Sequence, residues 1–433
     1  MEILVAAERG FSPGDAYVVG LLFIGIAIVA AIGALSHERE RAFSAALVYL
    51  GLGFAAAVAI ELFGLAWVDP LDDPEVLERV TELAVIIALF ATGLKLDRPF
   101  EWRAWSGVGR LLVIAMPLTI LGVVAFGASA AGLSLGAAIV LGTILAPTDP
   151  VLAGDVGVGP PGDENEHEPN FSITGEAGLN DGLALPFLLL GLFVLDPGGT
   201  SWLGEWLLAD VLYAIVAGAV IGAALGYCFA AAAVRLRDRR LLATAFDAWL
   251  AIPTVLVIYG VTELVGAYGF IAAFAGGLAF RRYEHGHDYN RRVHEGAEVA
   301  EKFGELAAIL LLGSMLSLAG LEAPGVAGWA LVALLIVVIR PAAVLIAFLG
   351  SRLPRGERLF IAWFGVRGIG SLYYVAVAVG SGYLAAGEAE TVAWIAIAAV
   401  LVSIAVHGVT AAPFSRRWLP PEAIRGGGIA DRD

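Results

Sequence analysis

Lysine is almost missing from this chain: Lys95 and Lys302 are the only two in 433 residues. Cysteine occurs once, at Cys228, which excludes a disulfide framework within the chain and any cysteine-built metal site. Charge of either sign is scarce, at 15% of residues, where a soluble protein carries roughly a quarter. So few charges cannot clothe a water-facing surface. With hydrophobic residues at 59%, the solvent for most of the chain must be lipid. The opening MEILVAAERGFSPGD holds no basic run leading into an apolar stretch with a small-residue cleavage site. No cleaved signal peptide is expected, and the first span should act as its own insertion signal. No polar stretch is long enough to fold as a soluble domain, and neither a cofactor nor a nucleic-acid partner is expected.

What is present is a succession of apolar runs near the length that crosses a bilayer as helix, about 20 residues. Hydropathy predicts thirteen spans, over about 16–35, 43–67, 80–96, 107–131, 134–156, 170–195, 208–234, 241–263, 266–280, 304–320, 328–350, 357–382 and 391–414. The 54 glycines suit helices packed closely in lipid. Loops after odd-numbered spans hold 22 of the 26 lysines and arginines; the others are Arg9, Arg79, Arg340 and Arg367. Such one-sidedness supports the count. By the positive-inside rule it puts the N-terminus outside and the C-terminus in the cytoplasm of a multi-pass plasma-membrane protein. The formal net charge of −15 gives an acidic, lysine-poor surface, suited to a high-salt cytoplasm where screening weakens repulsion.

Two spans carry interruptions. The fifth reads LGTILAPTDPVLAGDV, with Pro147 and Pro150 around Thr148 and Asp149. Each proline removes a backbone donor and disfavours helix in the residue before it, so a short unwound stretch is expected. The twelfth reads IAWFGVRGIGSLYYVAVAV, where Gly365, Gly368 and Gly370 surround Arg367. Irregular backbone cannot face hydrocarbon, so both breaks must face protein or a water-filled cavity. Broken spans at corresponding places in the two halves point to a transporter binding site. Two kinks without a ligand are the bland alternative, and charges at both breaks argue against it.

Between Arg110 and Arg235 there is no lysine or arginine, yet Asp149 lies in span five and Glu176 and Asp181 in span six. Each ionised group near the bilayer centre costs on the order of 2.5–3.5 kcal/mol, so these acids must be partnered, hydrated or protonated. The intramembrane candidates for partner are Arg340 in span eleven and Arg367 in span twelve, which demands contact between the halves. Glu176 and Asn180 share one helix face, and Ala177 and Asp181 the adjacent one. One helix can therefore aim Glu176 at an arginine and Asp181 at a cavity, with no basic residue left for Asp181. An ionised carboxylate in a dry cavity takes up either a proton or a cation, and the two compete for the same oxygens. Oxygen ligands suit a small hard ion; Asp181, Asn180, Thr148 and backbone carbonyls at the span-five break can build such a shell with water. Asp149 can offset the positive helix ends at the breaks, and Arg367 the negative ones.

In these strings the chain resembles the NhaP-type monovalent cation:proton antiporters, relatives of the animal sodium–proton exchangers. The strings are APTDPVLAGDV (146–156), TGEAGLNDGLALPF (174–187), IRP (339–341) and FGVRGIGSLYY (364–374). The resemblance implies an all-α polytopic fold of thirteen helices, with inverted repeats, two crossing discontinuous helices and a homodimer. Residues 1–433 then form one transmembrane domain, with core helices about 107–195 and 328–414 and scaffold helices about 16–96 and 208–320. It makes Asp181 the carrier of Na⁺ or H⁺, Thr148 a Na⁺ ligand at the crossing and Asp149 the charge compensator. Glu176 and Arg340 become the organising ion pair. Asn180 before Asp181 matches the form associated with electroneutral exchange. Ala177 departs from the pattern, because relatives often carry a serine ligand there; this keeps K⁺/H⁺ or mixed-ion exchange open. Water or Thr174, one turn earlier, is a candidate substitute.

Other features carry less. GVRGIG (365–370) lacks dinucleotide-binding spacing and sits in a span. His285, His287 and His294 fall in a basic loop and are expected to be solvated, with pH sensing as the alternative. His407 reads as a packed, hydrogen-bonded histidine. Asp247 reads either as a cation attractor or in a capping or snorkelling role, and the acidic stretch 159–170 as a solvated loop, with concentration of cations at the cytoplasmic mouth as the alternative. An intramembrane aspartyl hydrolase using Asp149 and Asp181 is the rival of another class, but it has no use for Asn180, Glu176 or two buried arginines. A passive channel would need no titrating carboxylate opposite broken helices.

Overall fold

The computed structural model describes residues 16–36, 44–63, 67–159, 167–196, 199, 201–283 and 290–420. Helix is the regular structure among them, and no strand occurs in the described residues. In lipid a helix satisfies its own backbone groups, which is why the apolar runs fold this way. The helices of nine or more residues are α1 (Ala16–Ser36), α2 (Ala45–Phe63), α3 (Pro74–Lys95), α4 (Ser106–Ser129), α5 (Leu135–Leu145), α6 (Glu168–Leu195) and α7 (Leu203–Asp238). They continue as α8 (Ala251–Leu264), α9 (Gly269–Tyr283), α10 (Asn290–Ser314), α11 (Gly325–Ala347), α12 (Arg355–Trp363), α13 (Ile369–Gly380) and α14 (Ala386–Trp418).

Each hydropathic segment coincides with a helix or an interrupted pair, but among the described residues seven helices are long and apolar enough to cross a membrane by length and composition alone. The shortfall has physical causes. α5 and α13 are pieces of interrupted spans, and α10 carries charges along much of its length. Large apolar side chains such as Leu22, Val29, Leu207, Val220 and Val337 point outward, as lipid-facing residues do.

The two interrupted spans sit in matching surroundings. α4 widens into a π turn at Leu111–Ala115 just before Pro117, and α11 does the same at Leu335–Ile339 just before Pro341. A proline withdraws a hydrogen-bond donor from the turn ahead of it, and a π turn absorbs the mismatch. Each is followed by a broken span and then by a long helix with an internal proline, Pro186 in α6 and Pro413 in α14. Side chains from α4, α5, α6, α11, α13 and α14 share one apolar cluster, including Ile120, Leu141, Leu188, Leu335, Tyr374 and Ile395. Elsewhere α7 lies along α9 at backbone contact: a methyl on Gly222 or Gly226 would collide with main-chain atoms of Ala272 or Gly276.

Two peripheral expectations change, on His294 and Asp247. α10 begins well before the 304–320 window, so His294 lies on helix and is 5% exposed rather than solvated. Burial, and then the charges of Lys95 and Arg281, push its imidazole down to about 3, leaving it uncharged near neutrality. Asp247 is buried and paired with Arg237 at 3.0 Å, so it neither attracts cations from solvent nor caps a helix. His285, His287 and most of the acidic stretch, residues 160–166, lie outside the described residues.

Candidate cation site at the crossing of two interrupted helices

α5 stops at Leu145, and the chain runs without α-helix through Pro147 and Pro150 to a short 3-10 turn at Gly154–Val156. α12 stops at Trp363 and α13 starts at Ile369, leaving 364–368 outside any helix. The two breaks meet. The Asp149 N–H donates to the Val366 carbonyl at 2.8 Å. Asp149 Oδ1 accepts the Val151 and Leu152 N–H groups at 2.9 Å each, and its Oδ2 accepts the Ile369 N–H at 2.6 Å. One buried carboxylate thus serves the donors that open a turn on one chain segment and the N-terminus of α13 on the other.

Arg367 does the converse. Its Nε donates to the Leu145 carbonyl at the end of α5 at 2.7 Å, and its Nη1 donates to the Gly365 carbonyl. Ser371 Oγ donates to the Ile144 carbonyl at 2.7 Å. A negative group faces exposed N–H ends and a positive group exposed carbonyl ends, the arrangement that a broken helix needs in lipid. α14 supplies further support that sequence reasoning missed. Ser403 Oγ accepts the Arg367 N–H at 2.7 Å, while His407 lies 3.0 Å from Ser403 Oγ through Nδ1 and 3.0 Å from the Trp363 carbonyl through Nε2. His407 is the packed, hydrogen-bonded residue expected of it. Ser403, one turn before it on a long helix, gave no sign by composition.

On α6 the acids part ways. Glu176 takes Arg340 in a two-pronged ion pair, with Oε1 to Nη1 at 2.7 Å and Oε2 to Nη2 at 2.6 Å, both side chains 1% exposed. Glu176 thus meets Arg340, while the Arg367 guanidinium donates to main-chain carbonyls. Asn180 Nδ2 donates to Thr148 Oγ1 at 2.8 Å, tying α6 to the span-five break. Asp181 is 1% exposed, and neither Oδ1 nor Oδ2 has a hydrogen-bond partner among the described residues. Asn180 Oδ1 is likewise unpartnered. The Tyr374 hydroxyl donates to the Asp181 main-chain carbonyl, not to its carboxylate.

Thr174 does not stand in for a hydroxyl at 177. Its Oγ1 accepts the Val158 N–H at 3.0 Å, and it lies two turns from Asp181. The residues singled out in sequence therefore fall into a charge-compensated crossing (Asp149, Arg367), an ion pair (Glu176, Arg340), an Asn180–Thr148 hydrogen bond and, next to Asn180 in the chain, a buried Asp181 carboxylate with no hydrogen-bond partner among the described residues. A carboxylate so placed is costly when ionised and empty, and it can be neutralised by a proton or by a cation.

The comparisons with known proteins converge on one family. The family model "Sodium/hydrogen exchanger, transmembrane" matches residues 24–417. Na(+)/H(+) antiporter 2 of Zygosaccharomyces rouxii is 28% identical over 348 residues, covering 75% of this chain and 42% of that protein. The chain thus spans about two fifths of the length of that yeast relative. The K(+)/H(+) antiporter NhaP of Alkalimonas amylolytica is 26% identical over 419 residues, covering 94% of this chain and 68% of that protein. Among solved structures, the sodium proton antiporter MjNhaP1 from Methanocaldococcus jannaschii superposes with a TM-score of 0.70 at 18% identity, covering 92% of this chain and 99% of that one. That last likeness is one of fold.

Proposed function

Because the chain belongs to the sodium/hydrogen exchanger transmembrane family, we propose that it is an electroneutral Na⁺/H⁺ antiporter in which Na⁺ and H⁺ compete for Asp181. The observation that carries this reading is the buried Asp181 carboxylate with both oxygens unpartnered while Arg340 and Arg367 are engaged elsewhere. The cation takes Asp181, Thr148, Asn180 and a break carbonyl as ligands. Asp149 and Arg367 hold the crossing, and Glu176–Arg340 fixes α6 against α11. The loaded forms, with Na⁺ or with H⁺, carry equal charge, so either crosses without work against the membrane potential; a net charge would couple at ~2.3 kcal/mol per 100 mV.

Transport proceeds by alternating access, with core helices of about 107–195 and 328–414 moving against a scaffold of about 16–96 and 208–320. The apolar cluster shared by α4, α5, α6, α11, α13 and α14 supports treating the core as one body. A homodimer in the plasma membrane, N-terminus outside and C-terminus cytoplasmic, completes the reading. The one-sided arginines support that orientation. The hydrolase alternative is set aside: Asp149 has both oxygens on backbone donors, and the named relatives are antiporters.

A second reading, K⁺/H⁺ exchange at the same site, is favoured by two observations: residue 177 is alanine, and a relative covering most of the chain is named a K⁺/H⁺ antiporter. Everted vesicles with a pH dye separate these. Na⁺ addition is expected to alkalinise wild-type vesicles, K⁺ to do so less, and Asp181→Asn to abolish both. The rate should not change when valinomycin clamps the potential. Exchange surviving in Asp181→Asn would eliminate the carrier, and a rate that follows the potential would eliminate electroneutrality.

A further inference from the structure

The glycines of FGVRGIG do more than loosen the helix break. Gly368 and Gly370 each lie against a carboxylate of the site. A Cβ built on Gly368 would press on Asp149 Oδ2, the oxygen that accepts the Ile369 N–H. A Cβ built on Gly370 would stand 2.5 Å from Asp181 Oδ1 and 2.8 Å from both its Cγ and its Oδ2. Those separations are well inside van der Waals contact. The whole Asp181 carboxylate therefore occupies room that exists because residue 370 has no side chain.

Asp181 cannot shift away as a unit. Tyr374 stands one turn beyond Gly370 on the same face of α13, and its hydroxyl donates to the Asp181 main-chain carbonyl. Tyr374 is itself fully buried in the apolar cluster of the core. One half-helix thus grips one residue of α6 at two points, its tyrosine on the backbone and its glycine under the side chain. The side chain remains adjustable, because no donor holds either oxygen.

We propose that Gly370 sets the size of the cation site, by letting the Asp181 carboxylate lie back against α13. A methyl at 370 drives the carboxylate away from α13, with its backbone still held by Tyr374. The coordination shell contracts, and selection moves toward the smaller cation, since selectivity among hard ions follows cavity size and ligand placement. This rests on Asp181 being the cation carrier.

The test is exchange of Li⁺, Na⁺ and K⁺ by the full chain in proteoliposomes, for wild type, Gly370→Ala, Tyr374→Phe and Asp181→Asn. Gly370→Ala should keep Li⁺ exchange while KM for Na⁺ rises about tenfold, the scale on which one methyl discriminates in a pocket, and KM for K⁺ rises further. Tyr374→Phe keeps the ring and frees the carbonyl, so the same KM ratios should move the other way, toward the larger ions. If Gly370→Ala does not reach the membrane, the Tyr374→Phe ratio decides alone. Unchanged KM ratios overturn the proposal, including the case where Vmax falls equally for all three ions, which is what a purely structural glycine would give. Exchange persisting in Asp181→Asn would instead remove the carrier on which the proposal stands.

Discussion

Glu176 and Asp181 lie little more than one turn apart on α6, yet only one of them meets a guanidinium. The difference is one of direction. Residues five apart point about 140° away from each other around a helix, so a single arginine on α11 cannot serve both. The Glu176–Arg340 pair is dry, and dry pairs are costly to break because the survivor keeps an uncompensated charge. Arg340→Ala should therefore lose about 3–5 kcal/mol of stability. Removing Glu176 as well should restore part of the loss, because no charge is then left alone. Thermal unfolding in detergent reads both variants. A stable Arg340→Ala, or a double variant worse than the single, would show that the pair does not organise the core.

At the scale of elements, the crossing depends on what meets the ends of α5 and α13. Asp149 takes three backbone N–H groups, two from its own turn and one from α13. Asp149→Ala would leave those donors buried without acceptors, at about 1–3 kcal/mol each. Asp149→Asn keeps one acceptor oxygen and should fall between alanine and wild type in melting temperature. An alanine variant as stable as wild type would mean that the break is held by something else.

Much of this element-level picture was legible in the sequence. Prolines at 147 and 150 and glycines around Arg367 announce broken helices, because backbone chemistry is local. A basic-free stretch with intramembrane acids has to look elsewhere for partners, and Glu176 meets Arg340 of α11. The start of α10 was missed because its charged first turns, Asn290 to Glu301, lower the hydropathy without breaking the helix. The support of the twelfth-span break by Ser403 and His407, and the fit of Gly370 under Asp181, are relations between helices far apart in the chain. A single sequence carries no signal for such distances. Ala177 was readable as a missing hydroxyl, but only the Thr174 bond to the Val158 N–H removed its nearest substitute.

Across the whole molecule, the family match covers most of the chain, while the yeast relative extends well beyond the region matched here. The transport claim therefore rests on a membrane core whose buried charges are accounted for. Asp149 and Arg367 meet helix ends, Glu176 and Arg340 meet each other, and the Asp181 carboxylate has no hydrogen-bond partner among the described residues. On the proposed reading, in which sodium and a proton compete for the Asp181 oxygens, sodium binding should displace a proton. The most direct measurement is proton release from the purified protein in weak buffer, read by a pH dye as Na⁺ is added. Wild type should release as many protons as it binds cations, and Asp181→Asn should release none. Sodium binding that leaves the proton count unchanged, or equal release from the variant, would contradict the account.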